Sequence, residues 1–253
     1  MTNRIILPDV TLAAIVRDEK MNAAGGIEDF LECTMPFVSA GVVVDTGSFD
    51  GTRDILDRMK RKQSRIRIYD HEFVSYAEAR NYSLLQVRTP YALVLDADER
   101  LSQEDFEKIS DAIHNNPLAI GFNFLIEDID FYSSRVCRAL HNPRLFVANI
   151  CFKYKNNRLK SEEYLCLSDD RVDKFCSEIG ISIKHFGPNV SGIESKMEWR
   201  RTLNYKPEQD HVAPSQFPGF ELYKELSPMR AKYIFGVTQK PRKPEKKKEG
   251  SVK

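Results

Sequence analysis

The sequence predicts a doubly wound α/β domain with a mostly parallel central sheet. Three observations carry that prediction. Short apolar runs of strand length alternate with segments of helical apolar spacing through the first half of the chain. Residues 41–44 (GVVV) form a continuous, largely β-branched run, as in a strand buried on both faces. Turn-rich or acidic clusters follow these runs directly, where the strands of a parallel sheet hand over to loops.

The elements follow in order. Residues 11–16 (TLAAIV) are the first expected strand. Residues 28–38 have helical spacing, with Ile27, Phe30, Leu31 and Met35 recurring and Pro36 near the stop. The second strand, residues 41–44, breaks off into Asp45-Thr-Gly-Ser-Phe-Asp-Gly-Thr52. Residues 52–62 place Ile55, Leu56 and Met59 on one helix face, and residues 65–69 alternate as a third strand. Ser75-Tyr-Ala-Glu78 matches a capping box, in which the serine hydroxyl and the glutamate carboxylate satisfy each other's free amides. That helix is expected to run to about Val87. Residues 91–95 (YALVL) form the next buried strand and lead straight into Asp96-Ala-Asp-Glu99. A further helix starts at Ser102, with Asp105 three residues on, and residues 118–126 read as a strand. Beyond about residue 130 the pattern is less regular. Residues 144–147, 150–154 and 179–184 are expected strands, residues 193–204 look helical, and residues 206–228 carry four prolines.

Composition narrows the function classes. At 253 residues, with 42% hydrophobic and 30% charged residues, the chain can bury a sizeable core and is not a disordered polymer. The net charge of +1 hides an asymmetry: residues 240–253 hold seven Lys or Arg against two Glu, so the rest of the chain is slightly acidic. A nearly neutral body is not that of a dedicated nucleic-acid binder. The basic tail reads as a solvated terminus, with an anionic surface as its possible contact. Five cysteines without a CxxC spacing argue against a disulfide framework or a zinc knuckle, and Cys33 and Cys151 read as small core residues. No run approaches 18 apolar residues, so the expectation is a cytoplasmic protein, with peripheral membrane contact through the tail as an option.

In an open parallel sheet, ligands bind beyond the carboxyl ends of the strands. Three polar clusters fall there: Arg17-Asp18-Glu19, Asp45 with its Gly-Ser-Phe-Asp-Gly turn, and Asp96-Ala-Asp98. Carboxylates two positions apart in a turn can address one polar volume, and hard oxygens suit Mg²⁺ or Mn²⁺. Such an ion retains open positions for a diphosphate. Asp45 is placed to accept hydrogen bonds from a base or ribose, and Asp50 to hold the turn or cap the next helix. The absence of GxGxxG and of GxxxxGK[ST] disfavours nicotinamide and P-loop folds.

Taken together, TLAAIVRDE, VVVDTGSFDGT, YAEARNYSL and YALVLDADE resemble the first half of family 2 glycosyltransferases of the GT-A fold. RLF at 144–146, HFG at 185–187, Lys196 and Arg200-Arg201 resemble the second half, and the pattern is similar to bacterial members that include peptide S-glycosyltransferases. The resemblance spans roughly residues 11–205. It implies a transferase moving a sugar from a nucleotide-diphosphate sugar, of the uridine type, with inversion at the anomeric carbon and with Mn²⁺ or Mg²⁺ as cofactor. It also implies a nucleotide-sugar half (1–130) and a metal and acceptor half (131–205) with a less regular architecture, to which the composition adds a Pro-containing wrap (206–239) and the basic tail (240–253).

Carried over residue by residue, the resemblance puts the nucleotide pocket at Val16, Arg17, Glu19 and Asp45, and Asp96 near the ribose or metal. Asp98 is the implied principal metal ligand and His185 the ligand that completes the set. Arg80, Lys196, Arg200 and Arg201 would face the donor diphosphate. The family's His-Glu pair before the HFG histidine maps onto Lys160-Ser-Glu-Glu-Tyr164, where a serine stands in place of the histidine and Glu162 or Glu163 keeps the carboxylate of the base. That departure leaves a second reading open, a catalytically degenerate domain that binds nucleotide or glycan. A nucleotidyltransferase is disfavoured, because RDEKMNAAGG lacks the Gly-rich basic loop of that class. Protein, lipid, polysaccharide and modified nucleic acid all stand as acceptors. His71, His114, His141 and His211 share no metal spacing.

Overall fold

The computed structural model describes residues 6–20, 22, 24–129, 136–148, 150, 152–156, 163–167, 170–172 and 176–186. The element order is β1 (Leu7–Val16), α1 (Ile27–Thr34), β2 (Val38–Asp45), α2 (Thr52–Lys62), β3 (Ile66–Asp70), α3 (Tyr76–Leu85), β4 (Tyr91–Val94), β5 (Glu99–Arg100) and α4 (Gln103–Asn115). It continues as β6 (Gly121–Ile129), β7 (Val136–Val147), β8 (Phe152–Asn156), β9 (Glu163–Leu167), β10 (Asp170–Arg171) and β11 (Ser177–Phe186). The expected doubly wound α/β architecture is present. Eight strands form one sheet in the order β3-β2-β1-β4-β7-β6-β11-β5, and β10-β9-β8 form a small second sheet.

The first four strands of the large sheet are mutually parallel. Strand β7 runs antiparallel between β4 and β6, β11 is parallel to β6, and β5 closes the edge antiparallel to β11. Side chains on β1 and β4 alternate between two cores. Leu12, Ala14, Leu93 and Leu95 pack with Phe30, Leu56 and Phe106 under α1, α2 and α4. Ala13, Ala92 and Val94 pack with Ala77, Phe146, Phe152 and Tyr154 under α3 and the small sheet. Burial on both faces is why these strands read as unbroken apolar runs rather than as alternation. On α3, the Asn81 side chain bonds both the N–H and the C=O of Tyr154, at 2.7 and 2.9 Å, and so docks β8 onto the helix.

Several boundaries differ from the sequence expectation for physical reasons. Helix α1 stops at Thr34, because the Phe37 carbonyl already accepts from Leu7 N at 2.8 Å and Val38 enters β2. Two expected strand pieces near residues 144 and 150 become the end of β7 and the start of β8. Pro143 sits inside β7 beside a register shift in its pairing with β6, where a missing N–H is tolerated. The capping box expected at α3 is half made. Ser75 accepts from Glu78 N at 3.2 Å, but the Glu78 carboxylate engages His71 instead of closing the box. The full box forms at α4, between Ser102 and Asp105. Cys33 is exposed rather than a core residue, being on the outer face of α1, and Cys151 lies outside the described residues. Among the described residues no helix is long and apolar enough to cross a membrane.

Candidate functional site

With β1 between β2 and β4, and all three parallel, the loops after Val16, Asp45 and Val94 leave the sheet at one rim. The chain winds outward from β1 to β3 and then returns to place β4 on the other side of β1, which is a switch point of the kind that opens a ligand crevice. The first two loops are sewn together. Asp18 N donates to Ser48 Oγ at 2.9 Å, Glu19 N to Thr52 Oγ1 at 2.8 Å and Lys20 N to Asp50 Oδ2 at 3.0 Å. Asp18 itself is fully buried at positive φ (54°), a conformation aspartate tolerates better than most residues, and its Oδ1 accepts from Phe49 N at 2.9 Å.

The expected nucleotide residues fall along this seam. The Val16 carbonyl accepts from Thr46 N at 3.0 Å, and Arg17 donates through Nη1 to the Thr46 carbonyl. Asp45 Oδ1 ties its own turn, accepting from Gly47 N at 3.1 Å, Ser48 N at 2.9 Å and Ser48 Oγ at 2.8 Å. Asp50 holds the loop and the start of α2 together, accepting from Thr52 N at 2.9 Å.

The third loop is an acidic turn with two unlike sides. On one side, Arg80 from α3 donates to Asp96 Oδ1, and Arg144 from β7 reaches both Asp96 Oδ2, at 3.8 Å, and Glu99 Oε1. Glu99 is 1% exposed and its Oε2 accepts from Asp96 N at 2.9 Å. Burial pushes the Glu99 carboxyl up to about 7 despite Arg144. Asp96 shifts the other way: burial works to raise it, but Arg80 and then Arg144 hold it below the usual carboxylate range.

On the other side stand Asp98, itself largely buried, and the partly exposed His185. Strand β11 pairs His185 with Glu99 of β5 on one edge and with Asp128 of β6 on the other. His185 Nδ1 lies 2.6 Å from Asp128 Oδ1, and Nε2 lies 3.5 Å from Asp98 Oδ2. The turn is pinned to β11 by Phe186 N, which donates to the Asp98 carbonyl at 2.9 Å. Burial alone would lower the His185 pKa, but Asp98 and the bonded Asp128 outweigh it and hold the imidazole well above its usual value.

This donor set fits a hard divalent ion. A carboxylate oxygen and an imidazole nitrogen 3.5 Å apart can both lie about 2.0–2.2 Å from one cation, with Asp128 fixing the imidazole tautomer from behind. Among the described residues no group of three or more His, Cys, Asp or Glu side chains is arranged to hold an ion, so the described donors number two here and leave positions for other oxygens.

Glu162, Lys196, Arg200 and Arg201 lie outside the described residues. Glu163 opens β9, in register with Asn156 of β8. Sequence reasoning passed over Glu99, Arg144 and Asp128 as site residues. The first two lay in plain view within YALVLDADE and RLF, while only the β6–β11 pairing brings Asp128 to His185. His71, to which no role was given, joins Glu78 at 2.6 Å and stacks on Tyr82 with centroids 4.2 Å apart, so the pair braces the end of β3 against α3.

Comparison with known proteins adds the following. Over 82 residues the chain is 33% identical to a protein described as a teichuronic acid biosynthesis glycosyltransferase, TuaG of Bacillus subtilis, and the match spans 32% of each protein. The chain therefore matches about a third of the length of that curated relative. Two solved structures give weaker likenesses that bear no further weight. S. aureus TarS has a TM-score of 0.48 at 14% identity, covering 90% of this chain and 44% of that one. Mannosyltransferase PcManGT from Pyrobaculum calidifontis, in complex with GDP-Man and Mn2+, has a TM-score of 0.47 at 16% identity, covering 90% and 70%. Residues 40–171, just over half of the chain, match the family described as Glycosyl transferase family 2, from the middle of β2 through the acidic turn to the end of β10; the chain belongs to that family.

Proposed function

We propose that the protein transfers a sugar from a nucleotide-diphosphate sugar, of the uridine type, to an acceptor nucleophile, with Mn²⁺ or Mg²⁺ and with inversion at the anomeric carbon. The observation that carries this reading is the meeting of Asp98, His185 and Asp128 on the rim that also gathers the loops after β1 and β2. Family membership supplies the reaction class.

In this reading the free edge of Asp45 and the segment Val16–Arg17–Glu19 hold the nucleoside, and Asp96, locked by its arginines, faces the ribose. Asp98 and His185 hold the divalent ion, which when bound screens charge on the departing diphosphate. Lys196, Arg200 and Arg201 are assigned to the same diphosphate. Arg80, paired with Asp96, acts on the donor through that carboxylate or by exchanging it for phosphate. Glu162 or Glu163 takes the proton from the acceptor as its nucleophilic atom bonds to the anomeric carbon and the bond to the diphosphate oxygen breaks. The nucleotide-sugar half is residues 1–130, the metal and acceptor half 131–205, and the segments 206–239 and 240–253 are accessory.

The test is turnover of labelled UDP-sugars by Asp98→Ala at saturating Mn²⁺. A loss of roughly 10³-fold or more, about 4 kcal/mol in the barrier, is expected. Turnover within a few-fold of the native chain would refute the role. Tight UDP binding by the native chain with no turnover of any donor would make it a binding module, as the serine at position 161 allows.

A further inference from the structure

Asn22 and Arg100 grip the peptide that joins the two aspartates of the acidic turn. Asn22 Nδ2 donates to the Ala97 carbonyl at 3.0 Å, and Arg100 Nη1 donates to the same oxygen at 2.9 Å. Both lone pairs of that carbonyl are thereby used. The second N–H of the Asn22 amide goes to Glu19 Oε2 at 3.0 Å, and its Oδ1 accepts from Ala24 N and Gly26 N, each at 2.9 Å. Arg100 Nη2 reaches back to the Ala24 carbonyl at 2.6 Å and to Asp29 Oδ2 at 2.9 Å, while its guanidinium lies 5.6 Å over the Phe30 ring. Gly25 and Gly26, both at positive φ (104° and 92°), curl the loop so that its amides face the Asn22 side chain.

The consequence is a turn whose three successive carbonyls are all hydrogen-bonded. The Asp96 carbonyl takes Glu99 N at 2.9 Å, the Ala97 carbonyl takes Asn22 and Arg100, and the Asp98 carbonyl takes Phe186 N at 2.9 Å. The Asn22 amide is also the direct tie between Glu19, on the loop after β1, and the acidic turn after β4. Asn22 is 5% exposed and uses every hydrogen-bonding site of its amide, so the position requires that group in that orientation.

We infer that Asn22 and Arg100 are positioning residues that hold the Asp98 carboxylate in place for the divalent ion by clamping the Ala97 peptide. The inference rests on the metal role proposed for Asp98. It deepens that reading by naming what makes the site ready before donor arrives, since a ligand fixed in advance loses no ordering entropy on binding. Asn22→Asp keeps the acceptor oxygen and removes both donor N–H groups, so it releases the peptide and sets a second carboxylate beside Glu19. Arg100→Lys keeps the charge and shortens the fork.

The experiment is calorimetric titration of UDP, and in parallel GDP, into full-length protein with and without Mn²⁺, beside a melting curve for each variant. For Asn22→Asp and Asn22→Ala, the Mn²⁺-dependent gain in nucleotide affinity is expected to fall about tenfold or more, while metal-free affinity stays within about twofold. Arg100→Lys is expected to fall between those variants and the native chain, and it carries the test if the Asn22 variants do not fold. A purely structural role would lower the melting temperature and leave the Mn²⁺ gain untouched, and that result overturns the clamp. Asp98→Ala separates the two layers. Loss of the gain in Asp98→Ala with its retention in Asn22→Asp sinks the clamp alone. A native chain that shows no Mn²⁺ gain, or that binds neither nucleotide, sinks the metal reading and the clamp together.

Discussion

The two aspartates of the acidic turn are chemically identical and two residues apart, yet the fold gives them opposite surroundings. Asp96 faces two buried arginines and shares Arg144 with Glu99, whereas Asp98 faces a partly exposed histidine oriented from behind by Asp128. Asp96 belongs to an ion network with two arginines that fixes the turn; Asp98 stands beside His185, the pair proposed to hold the ion. The comparison teaches that the two carboxylates of a DxD pattern need not be equivalent. Strand pairing sets them apart: β7 brings Arg144 to Asp96, and β11 brings His185 to Asp98.

Breaking the Asp96 side first should test this division most severely. Arg144 reaches Glu99 and Asp96 from β7, and its side chain is 11% exposed. Replacing it by methionine leaves the buried Glu99 carboxyl without its arginine and Asp96 with Arg80 alone, and removal of one partner from a buried pair costs about 3–5 kcal/mol. Arg144→Met is therefore expected to lose about that much unfolding free energy in urea titrations, because an uncompensated buried charge is dearer than the lost contact. A loss under about 1 kcal/mol, the range of an exposed pair, would show the network to be solvated and the contrast between the two sides to be false.

How much of this was readable beforehand follows from the same contrast. Strands β1, β2 and β4 were visible because both faces are buried, which writes continuous apolar runs into the sequence. Asp45, Asp96 and Asp98 were visible as polar residues at the ends of those runs. Strand β5, two residues long, carries no periodicity, and β9 begins at Glu163, one of the two glutamates expected as a base. Arg144 and Asp128 owe their places to non-local pairing, Leu93 with Leu145 and His185 with Asp128, which no local pattern encodes. Glu78 shows the opposite failure: its spacing from Ser75 fits a capping box, yet His71, seven residues upstream, takes the carboxylate.

The pH dependence of stability sharpens the comparison at intermediate size. Burial raises the Glu99 carboxyl to about 7 in the folded protein, above its ordinary value of 4.5. Between those values the folded state holds a proton that the unfolded chain has released. This contribution is thus fully present below the unfolded pKa and is lost as pH rises through about 7. The full shift corresponds to at most about 3 kcal/mol, reduced by the coupling to Arg144 and Asp96. Glu99→Gln, which cannot titrate, is expected to flatten the stability curve between pH 4.5 and 7 relative to the native chain, measured by urea titration at several pH values. An unchanged slope would mean that Glu99 is ionised throughout, and that the Asp96 side is a plain salt bridge.

The Asp98 side offers the finest test, because Asp128 touches the histidine and not Asp98. Without an ion, His185 holds its proton between two carboxylates, which keeps its pKa high, so metal must displace that proton and affinity should fall as pH drops. Once the imidazole is neutral, Nδ1–H donates to Asp128 and the Nε2 lone pair is presented on the Asp98 side, where the ion is proposed to sit. Asp128→Asn keeps an acceptor but drops the charge, and Asp128→Ala frees the ring. Measured in alkaline buffer, where proton competition is weakest, Mn²⁺ affinity should fall roughly 10–100-fold in Asp128→Ala and less in Asp128→Asn. Stability should change little in either variant, since His185 and Asp128 are both partly exposed. If instead Asp128→Ala destabilises the fold and leaves Mn²⁺ affinity alone, the triad is a strand clasp and both sides of the turn serve architecture.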